Sequence, residues 1–122
     1  MTNPEATVRR GEIYRVARPG GGDPRRSRPY VVVSRPGLLQ ANFSSVICAP
    51  VYSRHDELDT QVLVGAEAGL KQASSVHCDG LVSLPKVALT DYVGALSGDK
   101  LAELDRALAV ALGIDHLFDS AR

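Results

Sequence analysis

The stretch "GEIYRVARPGGGDPRRSRPYVVVSRP", residues 11 to 36, decides what kind of fold this chain adopts. Its opening residues alternate Ile13 with Arg15 and Tyr14 with Val16, the period of two that a half-buried β-strand requires. "GGGDP" then frees φ at three glycines and removes a backbone donor at the proline, so the first strand ends by Pro19 and residues 18 to 27 read as a loop. "PYVVVSR" is a β-branched run without alternation, which marks a strand buried on both faces, and Pro36 stops it. Two strands flank a glycine-rich loop loaded with arginine, an arrangement suited either to holding a polyanion or to a simple solvated hairpin.

Working outward, "SSVICAPVYS" reads as a third strand and "TQVLVG" as a fourth, separated by the charged turn "RHDELD". Pro50 cannot donate to a ladder, so a bulge or an edge position is expected there. "ASSVHCDGLVSLP" holds two more short strands around Asp79 and Gly80, and "ALTDYVGALS" closes the β portion. About six short strands punctuated by turn residues favour a small barrel over a doubly wound sheet. The ending differs in kind: "SGDKLAELDRALAVALGI" sets Leu101, Leu104, Leu108 and Leu112 at helical spacing beside Ala107 and Ala111. Ser97 is placed to cap the helix N-terminus, Asp99 lies near the positive end of its dipole, and Gly113 marks its stop. The leucine stripe must pack onto the barrel, and Leu117 and Phe118 either continue that packing or fray.

The length of 122 residues indicates a single domain, 1–122, long enough to bury a core unaided. The longest apolar runs fall well short of the roughly 20 residues that cross a bilayer, and "MTNPEATVRRGE" lacks the apolar segment of a signal peptide, so a cytoplasmic protein is expected. Cys48 and Cys78 sit in apolar strands and read as buried, reduced thiols, with no spacing that suggests zinc. Net charge is zero. Its distribution is uneven, because residues 9 to 35 carry eight arginines against Glu12 and Asp23. Such a segment focuses a positive field that favours phosphate-bearing or acidic partners.

The succession "RRGEIYRV", a glycine-rich loop with an acid, "RPYVVVS", "VICAPV", "VHCDGLVSLPK" and "GALSGDKLAELDRALAVALGI" resembles the MazF/PemK (Kid) family of toxins from type II toxin–antitoxin modules. Order and spacing agree over about residues 8 to 114. The resemblance implies a mainly β (α+β) fold, an SH3-like small β-barrel of the PemK/CcdB type with a C-terminal amphipathic helix. It also implies a homodimer, an endoribonuclease that cleaves single-stranded RNA without cofactor or metal, and a DNA-binding antitoxin whose acidic, partly disordered segment covers the RNA groove. Two alternatives share the fold: a gyrase poison, against which the absence of tryptophan counts, and a non-catalytic RNA-binding module.

Metal-free RNA cleavage uses the 2′-hydroxyl as nucleophile, so the protein must hold the phosphate, stabilise its growing charge and move protons. Arg28 stands at the family's catalytic R-P arginine, and its planar fork suits phosphate oxygens; the bland reading pairs it with Asp79 or Asp23. The family's second catalytic residue is a threonine just after the third strand's proline. Here Tyr52 occupies that place and Ser53 follows it, so either hydroxyl is a candidate. RNA binding falls to Arg18, Arg25 and Arg26 as phosphate contacts, to Asp23 as the loop acid, and to His77 and Asp79 in "VHCDG". His77 is also the candidate for proton transfer, set against a structural hydrogen-bonding role.

Overall fold

The computed structural model describes residues 7–17, 27–42 and 44–119. Among these described residues seven strands form one antiparallel, half-closed sheet: β1 (Glu12–Ala17), β2 (Ser27–Val32), β3 (Ser45–Tyr52), β4 (Gln61–Val64), β5 (Ser74–His77), β6 (Val82–Pro85) and β7 (Asp91–Ala95). The order across the sheet is β4-β5-β3-β2-β1-β7, with β6 on β3 as well. Among the described residues three α-helices complete the fold, α1 (Pro36–Gln40), α2 (Gly98–Ala111) and the short α3 (His116–Asp119), with single 3-10 turns at Ala66–Ala68, Cys78–Gly80 and Lys86–Ala88. Among the described residues no helix is long and apolar enough to cross a membrane.

The valine run is buried on both faces because apolar layers cover both sides of β2. Val31 and Val33 join Ile13, Ala49, Val51, Val76 and Leu104 in one layer, on the side that α2 covers. Val32 joins Tyr14, Val16, Val46, Cys48 and Leu84 in the other. Strand alternation therefore assigns odd and even positions of β2 and β3 to opposite layers.

Pro50 departs from expectation. It lies within the interior strand β3, in register with Tyr30, and no bulge interrupts that pairing. On its other side β3 pairs with β6 over Ser45–Cys48 and with β5 over Val51–Tyr52. Pro50 thus falls where one neighbour gives way to the next, and its missing N–H interrupts neither ladder. Pro36 likewise does more than stop a strand, since β2 ends at Val32 and Pro36 opens α1, whose Leu39 is buried in the second layer.

Helix α2 begins and ends as its sequence dictates. Ser97 Oγ accepts from the Lys100 N–H at 3.2 Å. At the other end the N–H groups of Gly113 and Ile114 donate to the carbonyls of Val110 and Ala109, and Gly113 takes the left-handed φ of 74° that closes such a cap. Leu104 and Ala107 are buried, while Leu101 and Leu108 are partly so. Leu112 instead is 60% exposed, because it is the capping residue where the chain turns away from the sheet. Leu117 and Phe118 also remain exposed, so the apolar tail adds little to this core.

Candidate functional site

The β2–β3 register, Tyr30 with Pro50 and Val32 with Cys48, carries a geometric consequence beyond the paired residues. Extended two positions further, it sets Arg28 opposite Tyr52. On the other side Tyr52 pairs with Ser75 of β5, and His77 lies two residues along on the same face. Arg28, Tyr52, Ser75 and His77 therefore share one sheet face, that of the second apolar layer and opposite α2.

Side-chain geometry follows. The Arg28 guanidinium lies 4.1 Å from the Tyr52 ring centroid, a cation–π contact. The same ring meets the His77 imidazole at 4.6 Å between centroids, tilted by 59°. A groove of about 590 Å³ opens here, lined by Arg28, Tyr52, Ser53, Arg54, His77, Asp79 and Gly80. Five residues singled out from sequence thus come together: Arg28, Tyr52, Ser53, His77 and Asp79. Arg18, Asp23, Arg25 and Arg26 lie outside the described residues.

No ion pair joins Arg28 to Asp79, whose Oδ2 accepts instead from Thr60 Oγ1 at 2.6 Å; the other bland partner, Asp23, lies outside the described residues. Tyr52 presents its ring to Arg28, a role that its hydroxyl alone does not suggest. Ser53, directly after β3, is exposed and lines the groove. Behind them His77 is 9% exposed and Ser75 fully buried. Ser75 Oγ donates to the Arg54 carbonyl at 2.6 Å, and His77 Nε2 lies 3.1 Å from that carbonyl and 3.0 Å from Ser75 Oγ.

Arg54 and Ser75 were missed in the sequence. Arg54 directly follows Ser53 in "YSRHD" and could have been flagged by adjacency; nothing local marks Ser75. The loop after β3 is further tied by Asp56, which accepts from Arg54 Nε at 3.2 Å and from Gln61 Nε2 at 3.1 Å. The Gln61 bond, aided by the Arg54 charge, holds the Asp56 carboxyl below its ordinary pKa. His55 is exposed on this loop and lines a different cleft, facing α2. Part of the basic cluster is committed elsewhere: Arg10, in the turn before β1, pairs with Asp105 of α2 at 2.8 Å and donates to the Val33 carbonyl. Cys48 and Cys78 are buried and free, and burial raises their thiols to about 12 and about 11. Among the described residues no group of three or more His, Cys, Asp or Glu side chains is arranged to hold a metal ion.

The molecule is a small antiparallel half-barrel with a cationic, aromatic-backed groove on the face its main helix leaves open. Residues 9–112 match the family model described as PemK-like, MazF-like toxin of type II toxin-antitoxin system. Endoribonuclease MazF3 of Mycobacterium tuberculosis is 33% identical over 88 residues, 72% of this chain and 81% of that protein. Probable endoribonuclease MazF of Mycolicibacterium smegmatis is 32% identical over 111 residues, 88% of this chain and 98% of that one. Among solved structures, an endoribonuclease in complex with its cognate antitoxin from a mycobacterial species superposes with a TM-score of 0.76 at 25% identity, covering 88% of this chain and 96% of that one. The Mycobacterium tuberculosis toxin MazF-mt6 gives 0.73 at 26%, covering 85% and 98%. The chain belongs to the PemK-like, MazF-like toxins of type II toxin–antitoxin systems.

Proposed function

We propose that this toxin is an endoribonuclease that cuts single-stranded RNA by 2′-hydroxyl attack, without a metal, in the groove of Arg28, Tyr52 and Ser53. The attacking 2′-oxygen gives up its proton to solvent and bonds to phosphorus as the bond to the 5′-oxygen breaks, and that oxygen takes a proton from solvent, leaving a 2′,3′-cyclic phosphate and a 5′-hydroxyl. In this reading Arg28 grips the non-bridging oxygens and neutralises the charge that grows on them. Tyr52 fixes the plane of that guanidinium through its ring, and the Ser53 hydroxyl donates to the phosphate in place of the family threonine. Arg54, whose side chain is 76% exposed, adds a second cation on the groove wall. The loop residues Arg18, Arg25 and Arg26 supply sequence-independent phosphate affinity.

The observation that carries the proposal is the convergence of Arg28 with Tyr52 and Ser53 in one open groove, although they come from two strands 24 residues apart in the chain. The relatives named as endoribonucleases support the activity, and the related complex supports an antitoxin partner. We read that partner as an acidic, partly disordered segment laid along the same cationic groove, and the toxin as a homodimer in the cytoplasm. The test is incubation of the purified protein with a long RNA in EDTA. Fragments ending in cyclic phosphate and 5′-hydroxyl are expected, and Arg28→Ala is expected to reduce their rate by about 10²-fold or more. RNA bound but left intact by the parent protein would leave a binding module instead.

A further inference from the structure

We propose that His77, with Ser75, is a positioning residue for this site: the pair clamps the Arg54 carbonyl and supports the Tyr52 ring, and so sets where the Arg28 guanidinium stands. The inference rests on the site reading given above, and it assigns His77 neither proton transfer nor RNA contact.

The hydrogen atoms decide the matter. A carbonyl oxygen can only accept, so the 3.1 Å approach of His77 Nε2 to the Arg54 carbonyl requires a hydrogen on that nitrogen. Ser75 has one hydroxyl hydrogen, and at 2.6 Å it goes to the same carbonyl. The Nε2–H is then shared between the carbonyl and a lone pair of Ser75 Oγ at 3.0 Å. Both hydrogens of the triangle are used within it, so in this tautomer Nε2 has no lone pair left to take a proton from a nucleophile; the ring's remaining lone pair is on Nδ1, to which none of these bonds is made. Burial of the pair, Ser75 at 0% and His77 at 9%, makes the arrangement costly to undo.

What the triangle holds is as informative as its bonds. The Arg54 carbonyl belongs to the turn directly after Ser53, so fixing it fixes the backbone that presents the Ser53 hydroxyl. The imidazole also backs the Tyr52 ring, which in turn meets Arg28. One histidine therefore braces both the hydroxyl and the guanidinium, through contacts that leave it off the reacting atoms.

Replacement by glutamine separates this role from acid–base catalysis, because the Gln side-chain nitrogen lies as many bonds from Cβ as Nε2 and carries hydrogens. In steady-state cleavage of an RNA oligonucleotide, His77→Phe is expected to lower kcat by about tenfold or more with KM within about twofold. His77→Gln should recover most of that loss, and Ser75→Ala should fall between them. An acid–base histidine would lose about 10²–10⁴ in both His77 variants alike. Amide hydrogen exchange over residues 53–56 supplies a readout independent of cleavage: faster in His77→Phe and Ser75→Ala, near the parent rate in His77→Gln. Equal losses of kcat in Phe and Gln, or unchanged exchange in Phe, would overturn the clamp. A parent protein that fails to cut RNA sinks the proposed function alone, and the exchange result still decides this inference.

Discussion

Tyr52 is where the side chain and the family pattern part company. A tyrosine hydroxyl sits several ångströms further from the backbone than a threonine hydroxyl, so it cannot fill the same point in space. The ring contact with Arg28 gives Tyr52 another use, worth about 0.5–2 kcal/mol by the usual range for such pairs and so about 2- to 30-fold in rate. Tyr52→Phe is accordingly expected to cleave within about threefold of the parent, and Tyr52→Leu to fall by that larger factor. Ser53→Ala should cost more, about 10²-fold, if its hydroxyl donates to the developing charge. Initial rates on one RNA oligonucleotide separate the two hydroxyls: a Tyr52→Phe enzyme as slow as expected for Ser53→Ala would transfer the donor role to Tyr52.

Among the elements, the closure of the half-barrel depends on two glycines. Gly69 follows a short turn at Ala66–Ala68 and adopts φ of 92°, and its Cα approaches β7 so closely that a Cβ would lie 2.3 Å from the Val93 carbonyl oxygen. A Cβ on Gly94 would meet the Ala68 carbonyl oxygen at 2.0 Å. These are backbone atoms, which cannot rotate aside. Gly94→Ala is therefore expected to lose about 1–3 kcal/mol of stability or more, as overpacking does. Ser97→Ala removes a single cap bond on an exposed helix end and should lose about 1 kcal/mol. Urea unfolding monitored by circular dichroism ranks the two, and a Gly94→Ala midpoint at or above that of Ser97→Ala would refute the close-contact argument.

For the molecule as a whole, the buried thiols impose a direction on pH stability. Desolvation lifts Cys48 to about 12 and Cys78 to about 11 from an ordinary value of 9.0, with Asp79 adding to the second shift. A group raised in the folded state favours folding below its unfolded pKa and loses that contribution as pH climbs through the folded value. Thermal midpoints should accordingly hold level near neutrality and decline from about pH 9 upward. The parent should also react slowly with a thiol reagent at pH 8 until denatured. Rapid modification of both cysteines in the native protein would contradict their burial.

Element identity was legible along the chain because it depends on neighbours: alternation marked β1, turn residues bounded the strands, and Ser97 and Gly113 delimited α2. The candidate site was legible only as separate residue types. Arg28 stood out for its position before a buried strand, and Tyr52 and Ser53 for theirs after Pro50. Their meeting was decided by register, since a shift of one residue between β2 and β3 would send Tyr52 to the opposite face. The same pairing placed Ser75 and His77 behind the groove and gave Tyr52 a cation to face, relations between residues far apart in sequence that no local pattern encodes. Composition and periodicity thus determined a small β-rich chain with one amphipathic helix and an arginine-rich N-terminal third. Only the folded sheet decided which polar groups could share hydrogens, because hydrogen bonds depend on distances that chain order alone does not set.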